Sequence, residues 1–338
     1  MKRKLKAVFY GITHEHSAGK LRTVEAMSDT FEIAAIVDDR PRGFVDFQAD
    51  PVDVSKYAFV TEEEALKIPD VDVAFVEPHN LDLMRVASLF IDRGIPIHCD
   101  KPCGTAMEPY RSLVAKCRAK NLPFQIGYMF RGNPALKFAR AAVQGGWLGE
   151  VAFVEADMNH NYGNARYCEF IRQFEGGIFF NLGCHLIDLV LPLVKGEATD
   201  LVSRIGDAPE DPAGSKTSAE VLMRFGGTEV LLRTCSNMRG GDRRLRIDGT
   251  NGTLEICPIE RFDGQPLKLM LDLKNPAGGY AAGRHMLDFG ILCDRYRDQL
   301  EDLAAIVRGD KPNDQDYDHD LKVHELTLKA CGLQQANF

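Results

Sequence analysis

Short apolar runs alternate with amphipathic stretches along the first third of the chain. The stretches at 20–27, 81–93 and 109–120 have helical periodicity. The apolar runs between them occupy residues 5–10, 32–37, 57–60, 71–76, 96–99 and 124–127. Strands that alternate with helices of about a dozen residues predict a parallel sheet with right-handed crossovers. Polar residues close each run, and ligands of such sheets bind outside the carboxyl ends of the strands.

The pattern changes after Gly127 to alternation with a period of two. These stretches, which predict half-buried and mostly antiparallel strands, occupy residues 151–157, 219–225, 229–235, 244–248 and 253–257. Helical patterns occur at 134–144, 185–194, 286–308 and 318–331. The sequence therefore predicts an α/β protein with two domains, a dinucleotide-binding domain over 1–127 and a substrate-binding and oligomerisation domain over 128–338.

Composition narrows the functional class. The 338 residues are 45% hydrophobic and carry a net charge of -8, which is enough apolar material for two cores and excludes a basic nucleic-acid surface. No apolar run approaches the roughly 18 residues of a membrane helix. The nine cysteines are odd in number and lack zinc-ligand spacing, so we expect reduced thiols, no metal and a cytoplasmic location.

The first predicted strand ends in a modified glycine turn, Gly11-Ile12-Thr13-His14-Glu15-His16. A dinucleotide-binding turn has glycines at the positions of Gly11, Thr13 and His16, because they let backbone N–H groups approach a pyrophosphate. Of these three positions, only position 11 is a glycine in this chain. We expect Thr13, His14 and His16 to lie near the phosphates, although two histidines two residues apart are also compatible with a metal site.

Asp38 follows the second predicted strand, where an acidic residue binds a ribose hydroxyl of the cofactor. A carboxylate repels a 2′-phosphate, so Asp38 favours NAD over NADP. Arg40 and Arg42 follow closely and are compatible with NADP. A simple turn after a strand is the alternative interpretation of Asp38.

Four segments, in this order along the chain, resemble the Gfo/Idh/MocA family of oxidoreductases. They are GIPIHCDKPCGT at 94–105, GYMFRGNP at 127–134, EGGIFFNLGCHLID at 175–188 and RLRIDGTNGTLE at 244–255. The resemblance implies an N-terminal Rossmann domain and a C-terminal α/β domain with a large, mostly antiparallel sheet. It also implies a homodimer or homotetramer that pairs through the open face of that sheet.

The resemblance also implies site residues. Lys101 of Asp100-Lys101-Pro102 matches the family's Glu-Lys-Pro lysine, and Asn181 and His185 match its Asp-x-x-x-His pair. Lys101 would hold the substrate hydroxyl and lie beside the cofactor, and His185 would move the proton. Asn181 departs from the family's Asp, because it can orient a hydroxyl but brings no charge.

Asn80 is a further contact that the resemblance implies, and three others come from position along the chain. Asn80 follows the fourth strand, where the nicotinamide ribose lies in the family. His160, Tyr162 and Arg172 lie near predicted strand and helix ends of the second domain and are candidates for binding the substrate.

The predicted function is NAD(P)-dependent transfer of a hydride between nicotinamide and a hydroxyl or carbonyl of a sugar, polyol or related small molecule. Two alternatives stay open. The first is a non-catalytic sensor or binding protein that has lost its cofactor, with which the altered glycine turn and Asn181 are compatible. The second is an enzyme whose cofactor stays bound and is recycled.

Overall fold

The structure, a computed structural model, describes residues 2–40 and 43–333, and the chain divides into two units. The first unit combines the chain up to Tyr128 with Tyr296–Glu325. The second combines Met129–Arg295 with the chain from Leu326 onward. The return of 296–325 to the first unit is a feature that a single boundary near residue 127 does not anticipate. Arg42 lies outside the described residues.

The first unit is built on a six-stranded parallel sheet with the order β3-β2-β1-β4-β5-β6. The strands are β1 (Leu5–Tyr10), β2 (Phe31–Val37), β3 (Phe59–Val60), β4 (Val73–Val76), β5 (Ile97–Cys99) and β6 (Phe124–Ile126). The helices between them are α1 (Ser17–Ala26), α2 (Glu62–Ala65), α3 (Leu83–Asp92) and α4 (Met107–Lys120). This strand order is that of the Rossmann fold, and it confirms the predicted fold class.

Three neighbouring strands of this sheet end at the same level. Tyr10 of β1 pairs with Val76 of β4, and Val76 pairs with Cys99 of β5. The residues that follow them therefore leave the sheet side by side. The strand order reverses between β1 and β4, and this is the point at which ligands bind in sheets of this kind.

A C-terminal helix completes the core of the first unit. α8 (Arg297–Arg308) contributes Leu300, Leu303 and Ala304 to a buried cluster with the apolar residues of α1, β1, β2 and β4. α9 (Tyr317–Ala330) begins in the first unit and ends in the second.

The second unit contains an eight-stranded sheet with the order β14-β13-β12-β11-β7-β10-β9-β8. β10 and β7 pair in parallel, and the other neighbours pair antiparallel. The strands are β7 (Val151–Asn159), β8 (Ala198–Gly206), β9 (Ser218–Phe225), β10 (Thr228–Cys235), β11 (Arg243–Gly249), β12 (Gly252–Ile256), β13 (Lys268–Leu273) and β14 (Gly283–Asp288). The helices are α5 (Pro134–Gln144), α6 (Ala165–Arg172) and α7 (Cys184–Val190).

The two faces of this sheet differ in chemistry. Alternate residues of β9 and β10, such as Val221 and Leu232, are fully buried. Oppositely charged side chains on neighbouring strands pair with one another, as Arg233 does with Asp157 at 2.7 Å and Arg244 with Glu155 at 2.6 Å. The sheet is therefore apolar on one face and polar on the other, as an antiparallel sheet covered on one side should be.

The helix predicted over 286–308 is wrong in its first half. Residues up to 288 belong to β14, which pairs with β13 at the edge of the sheet, and the helix begins only at Arg297. The alternating exposure of β14 shows that its apolar residues follow a period of two. β8 and β13 were not predicted. No helix among residues 2–40 and 43–333 is long and apolar enough to cross a membrane.

Candidate active site

The turns after β1 and β4 approach each other closely at Gly11. Its φ is +95°, and a Cβ atom at this position would lie 2.3 Å from the backbone nitrogen of Pro78. A side chain is therefore excluded both by conformation and by space. This explains why Gly11 is the one glycine of the motif that remains, and it leaves the turn open for the close backbone approach that a dinucleotide requires.

The two altered glycine positions are each satisfied by a buried acid. Thr13 donates its hydroxyl hydrogen to Asp39, which also accepts from the backbone N–H of Ile12 at 2.8 Å and of His79 at 3.2 Å. His16 directs Nδ1 at Asp100, 3.1 Å away. The turn is thus held by side-chain hydrogen bonds in place of glycine backbone freedom. Among residues 2–40 and 43–333 no side-chain hydrogen bond caps α1, which begins at Ser17, so the helix N-terminus is compatible with an anion.

Asp38 and Asp39 play different parts. Asp39 is 2% exposed and braces the turn, and burial raises the pKa of its carboxyl against its hydrogen bonds. Asp38 is partly exposed and forms a two-point ion pair with Arg40, whose Nε and Nη2 lie 3.0 and 2.7 Å from its two oxygens. Asp38 remains the candidate for a ribose hydroxyl, and Arg40 lies directly beside it.

Lys101 is fully buried at the carboxyl end of β5. Its Nζ donates to Glu15 Oε1 at 2.6 Å, and its carbonyl oxygen accepts from His14 Nε2 at 2.9 Å. His14 Nδ1 accepts from the N–H of His16, so Nε2 carries the ring proton. The Asn80 amide nitrogen lies 3.0 Å from the same His14 Nε2. The structure therefore brings four predicted residues, His14, His16, Asn80 and Lys101, to one edge of the sheet.

A second buried lysine lies beneath this edge. Lys20 of α1 is 0% exposed, and its Nζ lies 2.8 Å from Asp100 Oδ2, 3.1 Å from Glu77 Oε1 and 2.6 Å from His98 Nε2. The Tyr296 ring covers the ammonium, with its centroid 4.8 Å away. Asp100 also accepts from the backbone N–H of Lys101 at 2.8 Å. Lys20 and Asp100 therefore fix the strand end that carries Lys101.

The pKa shifts in this network follow from burial and from the ammonium groups of Lys20 and Lys101. Burial raises the pKa of Glu77 well above its usual value, although Lys20 opposes the shift. Burial acts in the same direction on Asp100, but Lys20 and His16 outweigh it and hold its pKa well below the usual value. Burial lowers the pKa of His16 to about 4 and that of His98 to about 3. At neutral pH the network thus contains a charged Lys20–Asp100 pair and neutral His16 and His98 rings.

His14, His16 and Asp100 form the one group of three metal-type ligands found among the described residues, with ligand atoms within 4.8 Å of one another. The surroundings disfavour a cation there. Both ring nitrogens of His14 are hydrogen bonded, and the Lys20 ammonium already neutralises Asp100. We assign no metal to this group.

Asn181 and His185 lie in the second unit, where both are 1% exposed. Asn181 belongs to a π-helical turn, Phe179–Gly183, which leads directly into α7 and His185. Single π turns inside helices occur frequently at functional sites. The His185 ring packs near Phe130, with centroids 5.8 Å apart. The joint action of Lys101 and His185 stays a prediction.

The three candidates for substrate binding differ in their surroundings. The rings of His160 and Tyr162 stack at 4.5 Å with an interplanar angle of 15°. The Arg172 guanidinium donates to the Ala213 carbonyl at 3.3 Å and to Ser215 Oγ at 3.1 Å, and thus braces the loop between β8 and β9. His160 is buried and stacks on the half-buried Tyr162, whereas the contacts of Arg172 are structural.

Sequence reasoning missed Lys20 and Asp39, and it included Glu15 and Glu77 only as parts of strand-end segments, without their partners. Lys20 had a readable signal, because it lies between Ser17 and Val24 on the buried side of α1, where an unpaired lysine would not be tolerated. The positions of Glu15 and Glu77 after predicted strands were readable, but their pairing with Lys101 and Lys20 was not, since those partners are distant in sequence.

Residues 136–255 match the family profile described as the GFO/IDH/MocA C-terminal domain. A trans-1,2-dihydrobenzene-1,2-diol dehydrogenase from Bos taurus is 25% identical over 199 residues, which are 59% of this chain and 58% of the relative. The chain therefore matches about three fifths of the length of this curated relative.

Solved structures resemble the chain over nearly its full length. An aldose-aldose oxidoreductase from Caulobacter crescentus, complexed with glycerol, has a TM-score of 0.75 at 18% identity and covers 98% of both chains. KijD10, a 3-ketoreductase from Actinomadura kijaniata in complex with TDP-benzene and NADP, has a TM-score of 0.75 at 14% identity and covers 97% of this chain and 96% of its own. The profile and the fold confirm the resemblance to the Gfo/Idh/MocA oxidoreductases.

Proposed function

We propose that this chain, of the Gfo/Idh/MocA type by its C-terminal domain and its fold, is an NAD(P)-dependent oxidoreductase. It transfers a hydride between nicotinamide and the hydroxyl or carbonyl carbon of a sugar, polyol or related small molecule. One observation carries the proposal: a fully buried lysine, Lys101, ends β5 beside the point where the order of a Rossmann sheet reverses. A cation is placed there at the cost of desolvation, which is characteristic of functional sites.

The cofactor, when bound, supplies the hydride chemistry, and the residues of the chain bind, orient and manage the proton. The Lys101 ammonium donates a hydrogen bond to the substrate oxygen and stabilises negative charge on it. His185 accepts or returns the hydroxyl proton, since an imidazole titrates near neutrality. Asn181, one helical turn before it, orients the substrate hydroxyl without adding charge.

We assign cofactor binding to the residues at the carboxyl edge of the first sheet. Gly11 leaves the turn open, and Thr13, His14 and His16 shape it around the phosphates. Asn80 and Lys101 lie on the nicotinamide side in this assignment. Asp38 favours NAD, because its carboxylate accepts from a ribose hydroxyl and repels a 2′-phosphate, while the adjacent Arg40 leaves NADP accessible.

The substrate side is assigned to the second unit. The stacked His160 and Tyr162 combine aromatic rings with polar ring atoms, a combination that suits the apolar faces and hydroxyls of a ring-shaped polyol. Arg172 acts there through the loop that it braces. The diol named for the bovine relative and the glycerol named for the Caulobacter structure belong to the same broad class of hydroxy compounds.

Assembly and location are also proposals. Phe153, Val202, Leu222 and Met286 are exposed apolar side chains on strands of the second sheet. We expect a second copy of the chain to cover the open face of the sheet, giving a homodimer or homotetramer. The nine cysteines, all within the described residues, are not joined in disulfides, which fits a reducing, cytoplasmic compartment.

A titration of the purified protein with NADH and NADPH, followed by nicotinamide fluorescence, tests the proposal first. We expect micromolar binding of NADH and weaker binding of NADPH, and then turnover in a screen of polyols and sugars. Failure to bind either cofactor would contradict the enzyme assignment and favour the sensor. Nicotinamide absorbance of the protein as purified would indicate a retained cofactor.

Two variants test the assigned roles. Lys101→Met should abolish most turnover while cofactor binding is retained, and Lys67→Met is the control, because Lys67 forms only a surface pair with Glu63. His185→Ala should remove the pH dependence of the proton transfer. An unchanged pH–rate profile would place the base elsewhere.

A further inference from the structure

We infer that Glu15 is a substrate-binding residue that works with Lys101 to recognise a vicinal diol. In this arrangement the Lys101 ammonium donates to one hydroxyl oxygen, and the second carboxylate oxygen of Glu15 accepts from the neighbouring hydroxyl. The inference rests on the proposed function and narrows its substrate class to compounds with two adjacent hydroxyl groups.

Glu15 and Lys101 form a pair across two strand ends. Glu15 lies in the turn after β1, Lys101 follows β5, and Nζ is 2.6 Å from Oε1. Lys101 is fully buried, and the Glu15 side chain is 13% exposed. An ion pair with so little solvent is screened weakly, so the carboxylate fixes both the charge and the direction of the ammonium.

The second oxygen of Glu15 is the feature that points to a ligand. Oε2 is buried, and no donor among residues 2–40 and 43–333 forms a hydrogen bond with it. The His14 Nε2 atom lies 3.5 Å away, but its proton is directed to the Lys101 carbonyl. Buried polar atoms are hydrogen bonded in the great majority of cases, and an exception at a site calls for a donor from outside the chain.

This oxygen stays an acceptor at neutral pH. Burial raises the pKa of the Glu15 carboxyl, but His14, Lys101 and His16 outweigh burial and hold its pKa below the usual value. The ionised carboxylate therefore accepts hydrogen bonds and donates none. It binds the hydroxyl hydrogen of a ligand and rejects a second acceptor, such as a carbonyl or ether oxygen.

The donor and the acceptor are adjacent, and this sets the ligand class. An ammonium donor beside a carboxylate acceptor matches two neighbouring hydroxyls, of which one accepts and the other donates. A simple alcohol satisfies only the ammonium and leaves Oε2 without a donor. Leaving a buried charged acceptor without a partner disfavours such a ligand strongly.

The first measurement reads the pair directly and needs no turnover. In protein labelled with ¹⁵N-lysine, the Lys101 ammonium signal is assigned by its loss in Lys101→Arg. We expect Glu15→Gln to shift or broaden this signal and Glu63→Gln, which removes a surface carboxylate paired with Lys67, to leave it unchanged. An unchanged Lys101 signal in Glu15→Gln overturns the inference.

The second measurement reads diol recognition with NAD⁺ present. We expect trans- or cis-1,2-cyclohexanediol to shift the Lys101 signal of the unaltered protein at concentrations about 10- to 100-fold lower than cyclohexanol does, since one charged hydrogen bond separates the two ligands. Glu15→Gln should abolish this preference. Equal responses to diol and alcohol, a preference that survives Glu15→Gln, or no response to the diols overturns the inference.

These measurements distinguish a failure of the proposed function from a failure of the role assigned to Glu15. Diol binding without formation of NADH contradicts the proposed function and leaves the assignment of Glu15 supported. NADH formation with equal efficiency from the diol and cyclohexanol supports the function and contradicts the assignment. If Glu15→Gln does not fold, Glu15→Asp keeps the charge and shortens the reach, and it should retain the fold while losing the preference for the diol.

Discussion

Replacement of Lys20 by methionine is the sharpest test of the buried network. Lys20→Met keeps the length and apolar stem of the side chain but removes the ammonium. Asp100 then stays 0% exposed without its principal counter-charge, which had been 2.8 Å away. The substitution also removes the contact with His98 and the interaction with the Tyr296 ring.

The expected loss follows from these contacts. Removal of one partner of a buried pair costs about 3–5 kcal/mol, because an uncompensated charge is left inside. Asp100 retains His16 and the N–H of Lys101 as hydrogen-bond partners, so the lower value of about 3 kcal/mol is expected. In a domain of this size the loss corresponds to a decrease in Tm of roughly 6–12 °C.

Urea and thermal unfolding followed by circular dichroism measure the loss. Lys67→Met, which breaks only a surface pair, should change the free energy of unfolding by less than about 1 kcal/mol. The double variant Lys20→Met/Asp100→Asn should be more stable than Lys20→Met, because the stranded charge is gone. A loss below about 1 kcal/mol for Lys20→Met, or no recovery in the double variant, would refute the reasoning.

Three further predictions concern other residues. Gly11→Ala should reduce the free energy of unfolding by at least about 2 kcal/mol more than Gly94→Ala, since both have positive φ but only Gly11 has a neighbour, Pro78, in the path of a Cβ; thermal unfolding of the pair compares them. Burial lowers the pKa of His324 to about 4, below its unfolded value near 6.5, so only the unfolded chain binds this proton between those values and stability falls with falling pH. His324→Asn should flatten the pH dependence of the unfolding free energy between pH 6 and 5 by about 1.4 kcal/mol per unit, and an unchanged slope would contradict the assignment. Asp38→Ala should weaken NADH relative to NADPH by about 10-fold in fluorescence titrations, and equal losses for both would place the ribose hydroxyl elsewhere.

The fold could be predicted from the sequence because its signals are local. The apolar runs at 5–10 and 32–37 coincide with β1 and β2 to within a residue, and α2 begins at a capping box that Thr61 and Glu64 form only three residues apart. The error at 286–308 arose where strand and helix signals compete. The apolar residues of β14 lie at the edge of the sheet, and their short run does not by itself distinguish a strand from a helix. The pairing of β14 with β13 shows that it is a strand.

The candidate site was less accessible to sequence reasoning. Residues at strand ends, such as Lys101 and Asn80, could be predicted because sheet topology fixes where those ends meet. The pairings that give the site its charge could not. Glu15 with Lys101, and Lys20 with Glu77 and Asp100, join residues that are about 60 to 90 positions apart, and no local pattern marks them.

The return of residues 296–325 to the first unit has a consequence for biosynthesis. The six strands of the Rossmann sheet are synthesised before residues 129–295 of the second unit, and Leu300, Leu303 and Ala304, which complete the core of that sheet, follow those residues. The nascent first unit therefore exposes an apolar surface while residues 129–295 of the second unit are made, and such surfaces are recognised by chaperones or aggregate. The core of the first unit is then completed only after most of the second unit has been synthesised.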